Sequence, residues 1–354
     1  MAHITPFRLG VLFAGCVLGA GFVSGQELFQ FFTAYGKIGF WGFLLSVLLF
    51  FAVGVLILRT AKIGNITEMD GIVVSGKHKT VCLLIGILES AMLFSVYIIM
   101  VAGVGSLAEQ LLSIPSPVAT AVFCLLSALL AAGGIPSLSK FFSLCVPILI
   151  LFALAVALGG IFTFGENGFF LENVNEPNLF FPHFSVSALL YVAYNVFGSL
   201  GVLVPVAAHI QKKKTVYLGM LFGVVMLGVV GGVILLALAA FPASLSTPMP
   251  MLTLAMSLGK TVGVLYGILL VLAMLGAALS CLGGLCVYFK QKLPCRNGLL
   301  HALPLGAVAF LLSFLGFGNL ISVLYPFFGY FGVLILIAIF IHYLRLCQAQ
   351  KKRK

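Results

Sequence analysis

Nine consecutive residues, Gly19-Ala20-Gly21-Phe22-Val23-Ser24-Gly25-Gln26-Glu27, place three glycines, a serine, a glutamine and a glutamate inside an apolar segment running from about Phe7 to Phe32. Each glycine in a helix interior costs roughly 1 kcal/mol relative to alanine. Irregular backbone at membrane depth persists only where protein buries it or where it lines a cavity. The pattern predicts a helix that breaks at Gly19–Gly21 and restarts toward Glu27. Such a break leaves amides on one side and carbonyls on the other, a site for an anion and a cation at close range. The plainer arrangement is an unbroken helix in which Gly15 and Gly19 form a small-xxx-small packing pair.

Glu27 and Glu89 are the two carboxylates expected well inside the hydrocarbon. An ionised carboxylate there costs at least ~2.5–3.5 kcal/mol, so each needs a partner, a wet cavity or a proton. Either could load a proton on one side of the membrane and release it on the other. Each could equally be protonated and make one interhelical hydrogen bond, and Glu27 could cap the restarted helix. Glu109, at the outer end of its segment, is expected to be solvated.

Further along, Tyr191, Asn195 and Ser199 recur at i, i+4 and i+8, with Tyr194 beside them, so one helical face would carry the three. A break near Gly198 would bring Asn195 and its neighbours to a solute; otherwise the tyrosines simply pack. Tyr97 is a weaker candidate of the same kind. Ala277, Ser280 and Cys281 are spaced i, i+3, i+4, on one face of a helix. His183, His209 and His301 are too scattered for a metal site. The eight cysteines form no CxxC pair and read as small packing residues. No nucleotide loop, Ser–His–Asp order or HExxH occurs, so neither an enzyme nor a resident cofactor or metal is expected.

The elements that position these residues follow from composition. Apolar residues make up 62% of the 354 and charged residues only 8%, too few ionic groups to cover a soluble surface. Ten helical segments are expected, at roughly 7–33, 39–60, 80–108, 117–133, 138–162, 184–208, 214–240, 258–289, 298–315 and 319–345. With both termini placed in the cytoplasm, every Lys and Arg except Lys37 and Lys260 falls on the inner side. The net charge of +11 is then an orientation signal for a multi-pass protein of the cell membrane, and no nucleic-acid partner is expected. The longest outer loop, 163–182, is acidic through Glu166, Glu172 and Glu176. It divides the chain into a first repeat, 1–162, and a second, 183–345, followed by a basic tail, 346–354. Five spans per half would make the second half an inverted copy of the first, with interruptions in the first and sixth spans, and matched interruptions mark a transport site.

Gly19 to Glu27, followed by Leu28-Phe29-Gln30-Phe31-Phe32, resembles the YkvI-like family of bacterial amino-acid-permease-like proteins, within the amino acid–polyamine–organocation superfamily with the LeuT fold. The resemblance implies a five-plus-five inverted repeat with solute held between spans one and six. Gly19, Ala20, Gly21 and Phe22 match the stretch whose amides bind a substrate carboxylate in that superfamily. The expected substrate-binding set is Gly19, Ala20, Gly21, Phe22, Ser24, Gln26, Tyr97, Tyr194, Asn195 and Ser199. The expected ion- or proton-coupling set is Glu27, Glu89, Ala277, Ser280 and Cys281. The implied activity is proton- or sodium-coupled symport of an amino acid. A membrane ligand sensor with the same fold, binding without moving its ligand, is the alternative; protein partners are not indicated.

Overall fold

The computed structural model describes residues 4–67, 69–73, 79–133, 136–167, 179–292 and 299–352. Most of the expected acidic loop, including Glu172 and Glu176, lies outside the described residues, as do Lys77, Arg296, Arg353 and Lys354.

Thr5 starts the first helix, α1 (Pro6–Val17), by accepting the Arg8 amide on its hydroxyl at 3.3 Å, with proline at a position where no N–H is needed. Helical bonding stops at Leu18 and Gly19 and resumes over α2 (Ala20–Val23). It stops again at Ser24 and Gly25 before α3 (Gln26–Phe31). Gly25 has φ +82°, in the left-handed region that favours glycine. The Ser24 hydroxyl locks this second turn: it donates to the Gly21 carbonyl at 2.8 Å and accepts from the Gln26 amide at 3.3 Å.

The chain continues through α4 (Lys37–Gly64), α5 (Met69–Val73), α6 (Lys79–Leu112), α7 (Ser116–Gly133), α8 (Pro136–Phe164) and α9 (Phe184–Ala207). It ends with α10 (Lys213–Ala240), α11 (Pro250–Leu258), α12 (Lys260–Lys292), α13 (Leu299–Ser313) and α14 (Phe317–Lys352). No strand occurs among the described residues. Among the described residues seven helices are long and apolar enough to cross a membrane, and Pro6–Val17, Ser116–Ala131 and Leu299–Ser313 are shorter apolar helices. Trp41, Leu151, Phe162 and Leu311 are among many large apolar side chains left exposed, a surface suited to lipid and not to water.

One expectation is corrected. The sixth apolar segment has no break near Gly198: α9 is helical from Phe184 to Ala207. Its polar side chains are absorbed by its own backbone, since the Asn195 amide nitrogen donates to the Tyr191 carbonyl at 2.9 Å and the Ser199 hydroxyl to the Val196 carbonyl at 2.9 Å. Gly198 serves packing instead, because a Cβ there would stand 2.9 Å from the Met92 methyl group.

α9 lies between α4 and α14, α1 packs on α10, and α6 packs on α7 and α12. Where α1 meets α10 the backbones nearly touch: a Cβ on Gly10 would lie 2.8 Å from the Gly219 carbonyl oxygen and 2.9 Å from the Gly223 nitrogen. That close approach anchors the N-terminal part of the broken segment. The C-terminal part is anchored by α11, whose Met251 amide donates to the Ser24 carbonyl at 3.0 Å. α11 is itself tied down, Thr253 accepting from Gln110 Nε2 at 2.7 Å and sharing a 2.7 Å hydrogen bond with Thr247.

Candidate functional site

A cavity of about 780 Å³ lies beside the broken segment, walled by parts of α1, α2, α3, α6, α7, α8, α9, α12 and α14. Of the coupling residues expected from sequence, Glu27, Glu89, Ala277, Ser280 and Cys281 all line it. Of the substrate-binding set, Gly19, Ala20, Gly21, Tyr194 and Asn195 line it. The other five do not. Phe22 is buried, its ring reaching Gly231 of α10. Ser24 is spent on the second turn. Gln26 is buried beside Gly318 of α14, and its Oε1 atom has no hydrogen-bond partner. Tyr97 turns to α7, where its hydroxyl lies 2.8 Å from Ser127 Oγ. Ser199 is buried and bonded to its own helix.

Glu27 is held in the cavity wall from several sides. Its position one residue into α3 swings the carboxylate back toward the first break. There Oε1 lies against Gly21 so closely that a Cβ on that residue would stand 2.1 Å from it. The Tyr194 hydroxyl donates to Glu27 Oε2 at 2.6 Å, and Tyr325 stands beside the same carboxylate. The two phenol rings stack with centroids 4.4 Å apart, and Phe31 and Tyr191 pack against Tyr194 at 5.7 Å each. Three separate elements, α3, α9 and α14, thus converge on one carboxylate.

The backbone groups released by the breaks divide into two classes. Carbonyls are taken up inside the protein. Gly21 receives the Ser24 hydroxyl, Ser24 receives the Met251 amide, and Val23 receives the Tyr266 hydroxyl from α12. The amides of Ala20, Gly21 and Phe22 donate to no backbone carbonyl among the described residues. On the α12 wall the Ser280 hydroxyl donates to its own helix, at the Gly276 carbonyl, 3.0 Å away.

Tyr325 and Tyr266 are the site residues that sequence reasoning missed. Tyr325 precedes Pro326 inside α14, and a Tyr-Pro pair within an apolar span is the available signal, since proline removes a helical hydrogen bond there. Tyr266 carries no local signal; it is one hydroxyl in an apolar helix.

The cavity is asymmetric along its length. At the end covered by α3 and α11, Glu27 and Tyr194 are each 5% exposed. At the other end Cys16 and Glu89 are partly exposed, and Val202 and Ser280 are exposed. The sealed end is closed further by the Tyr35 hydroxyl on the Phe181 carbonyl and by the Ser187 hydroxyl on the Phe31 carbonyl at 2.6 Å. Among the described residues no group of three or more His, Cys, Asp or Glu is placed to hold a metal ion.

No family model matches the chain. The uncharacterized membrane protein YkvI of Bacillus subtilis (strain 168) is 27% identical to it over 326 residues, covering 91% of this chain and 92% of YkvI. Among solved structures, MhsT in complex with L-phenylalanine superposes with a TM-score of 0.56 at 18% identity, covering 94% of this chain and 98% of MhsT. The inward-facing conformation of Mhp1 superposes with a TM-score of 0.59 at 13% identity, covering 93% of this chain and 74% of Mhp1. The Eremococcus coleocola manganese transporter, bound to an aromatic bis-isothiourea substituted compound, gives 0.56 at 13% identity, over 98% of this chain and 86% of that one. The chain is a homologue of YkvI and has the fold of the LeuT-type transporters.

Proposed function

We propose that the protein is a secondary active transporter that moves a small amino compound across the cell membrane by alternating access, coupled to a proton or a sodium ion. The observation that carries this is the cavity: its wall is deeply buried at one end and partly exposed at the other, with a buried carboxylate at the buried end bonded by Tyr194 and flanked by Tyr325. A permanent pore would be open at both ends, and a purely structural carboxylate would not need an 800 Å³-scale space, within the ~300–1,000 Å³ range of small-molecule sites, in front of it. The seven long and three shorter apolar helices support ten spans in two inverted sets of five, with both termini in the cytoplasm. The first set holds the broken segment. The resemblance at Gly19–Phe32, together with the amino acid bound to MhsT, supports a cargo of amino-acid size.

For coupling, Glu27 and Glu89 are the proton candidates and Ala277, Ser280 and Cys281 the sodium candidates. We favour the proton, because Cys281 offers sulfur where sodium wants oxygen, while the cavity wall holds two carboxylates.

Counterflow in proteoliposomes tests the reading. Preloaded vesicles should accumulate labelled cargo from a panel of amines and amino acids, and Glu27→Gln should lower the rate at least tenfold. Glu89→Gln should retain counterflow while losing proton-driven accumulation. Saturable binding without counterflow by any panel member would overturn transport in favour of a binding-only role.

A further inference from the structure

The hydrogen-bonding inventory of the cavity wall is one-sided. Among the described residues its ionisable lining includes Glu27 and Glu89 but no Lys, Arg or His. Most of its strong side-chain donors are committed: Tyr194 donates to Glu27, Ser280 donates to Gly276, and Asn195 spends its amide nitrogen on Tyr191, which leaves the Tyr325 hydroxyl beside Glu27 and two weakly donating thiols, Cys16 and Cys281. What remains beyond these on the side chains is acceptor capacity. Asn195 is 8% exposed and lines the cavity, and among the described residues no donor to its Oδ1 is found. It follows Tyr194 in the chain, so this orphan acceptor belongs to the same turn of α9 that holds Glu27.

The uncommitted backbone donors on this wall are the amides of α2. They are where a solute carboxylate would be expected, yet the Glu27 carboxylate already lies against Gly21 in the middle of them. A second carboxylate brought to that turn would meet the acceptor oxygens of Glu27, and a like charge at close range whenever Glu27 is ionised, where such repulsion is large. An ammonium or guanidinium group has only donors to offer and would meet acceptors.

We propose that this cavity recognises its solute through a cationic N–H donor, a primary ammonium or a guanidinium, seated between Glu27 and the Asn195 Oδ1 atom, and that its cargo carries no carboxylate. The inference rests on the transporter reading only in taking the cavity as the solute site. It narrows the cargo from amino acids to amines.

A matched series separates the possibilities: 1-aminopentane, which has the ammonium alone; norleucine, which adds a carboxylate; and hexanoate, which has the carboxylate alone. Thermal stability of the purified full-length protein is followed against the concentration of each, with sodium chloride as a fourth arm for an inorganic cation. The expected result is saturable stabilisation by 1-aminopentane at a concentration at least tenfold below any effect of norleucine, and none by hexanoate. Glu27→Gln should weaken the amine response at least tenfold. Asn195→Ala should weaken it about tenfold, and it provides a second test should Glu27→Gln fold poorly. Stabilisation by norleucine or hexanoate at lower concentration than the amine, by sodium alone, or by none of the four overturns the proposal. So does an amine response that survives both substitutions. Counterflow discriminates the two readings: norleucine counterflow keeps transport and removes the amine, whereas amine binding without counterflow keeps the amine and removes transport.

Discussion

The segment from Pro6 to Phe31 and helix α9 invite comparison, because both put glycine, serine and an amide side chain into an apolar run, yet one is broken twice and the other is a rod. The difference lies in what the polar groups bond to. In α9 the side chains of Asn195 and Ser199 add hydrogen bonds to carbonyls three or four residues back, which leaves the helix intact. In the broken segment Ser24 donates three residues back too, but it also accepts the Gln26 amide, and the next residue, Gly25, is left-handed. The released carbonyls then find partners on other elements, Tyr266 on α12 and Met251 on α11. Polar and glycine residues permit a break in a membrane helix; external partners for the freed backbone make one.

The sharpest test of that contrast sets Gly21→Ala against Gly198→Ala. At Gly21 the new methyl group meets Glu27 Oε1 at 2.1 Å, and the carboxylate cannot retreat without losing the Tyr194 hydroxyl that holds it. Hydrogen bonds to a charged group contribute about 1.5–3 kcal/mol each, so a loss of about 3 kcal/mol is expected, with uptake reduced beyond a hundredfold. At Gly198 the methyl meets the end of the Met92 side chain at 2.9 Å, and a flexible thioether can move. There the helical preference for alanine offsets the crowding, and the melting temperature should change little in either direction. Thermal unfolding of the two variants beside the wild type, with uptake measured on each, decides it. Equal effects would mean that the two glycines do the same job.

Next in size is Gly25→Ala. A non-glycine residue at φ +82° costs about 1–2 kcal/mol from the backbone alone, and the added carbon would lie 2.9 Å from Met251 Cγ and 3.4 Å from its amide nitrogen. A loss of about 2 kcal/mol is expected, accompanied by loosening of α11. Hydrogen exchange over 250–258 reports the loosening, and unchanged protection there would show that the turn and α11 are independent.

Legibility from sequence follows the same division. Local costs could be read: glycines at 19, 21 and 25 are expensive in a helix, and carboxylates at 27 and 89 are expensive in lipid, so the stretch and both acids stood out. Partners from distant elements could not. Nothing near Ser24 announces Met251, and nothing near Val23 announces Tyr266, although both stabilise the same turn. The direction of a side chain around its helix was equally hidden. Tyr97 was expected at the solute and instead bonds Ser127, while Tyr325, unnoticed, reaches Glu27. The matched interruption expected in the sixth span failed because composition cannot say whether an asparagine will find its acceptor on its own helix.

Tyr266→Phe probes one external partner directly. The substitution keeps the ring and leaves the Val23 carbonyl buried with its donor gone, at a cost of about 1–2 kcal/mol. The matching change, Tyr97→Phe, should cost less, because Ser127 keeps its own bond to the Cys124 carbonyl at 3.1 Å. Chemical unfolding of both variants in the same detergent gives the ordering, and the reverse order would separate the second break from its supposed support on α12.

The smallest expected effect is the most specific. Ser24→Ala removes a hydroxyl that both accepts and donates within one turn, and losing such a cap costs about 1 kcal/mol. Ser199→Ala removes a hydroxyl that only decorates a carbonyl of its own continuous helix, so a change below about 0.5 kcal/mol is expected. The two residues share type, burial and the three-residue spacing of their bond to a carbonyl. They differ in whether the backbone beside them is continuous. If melting curves show the two alanines to be equivalent, the Ser24 hydroxyl is as incidental as that of Ser199, and the second break is held by Gly25 and the external partners alone.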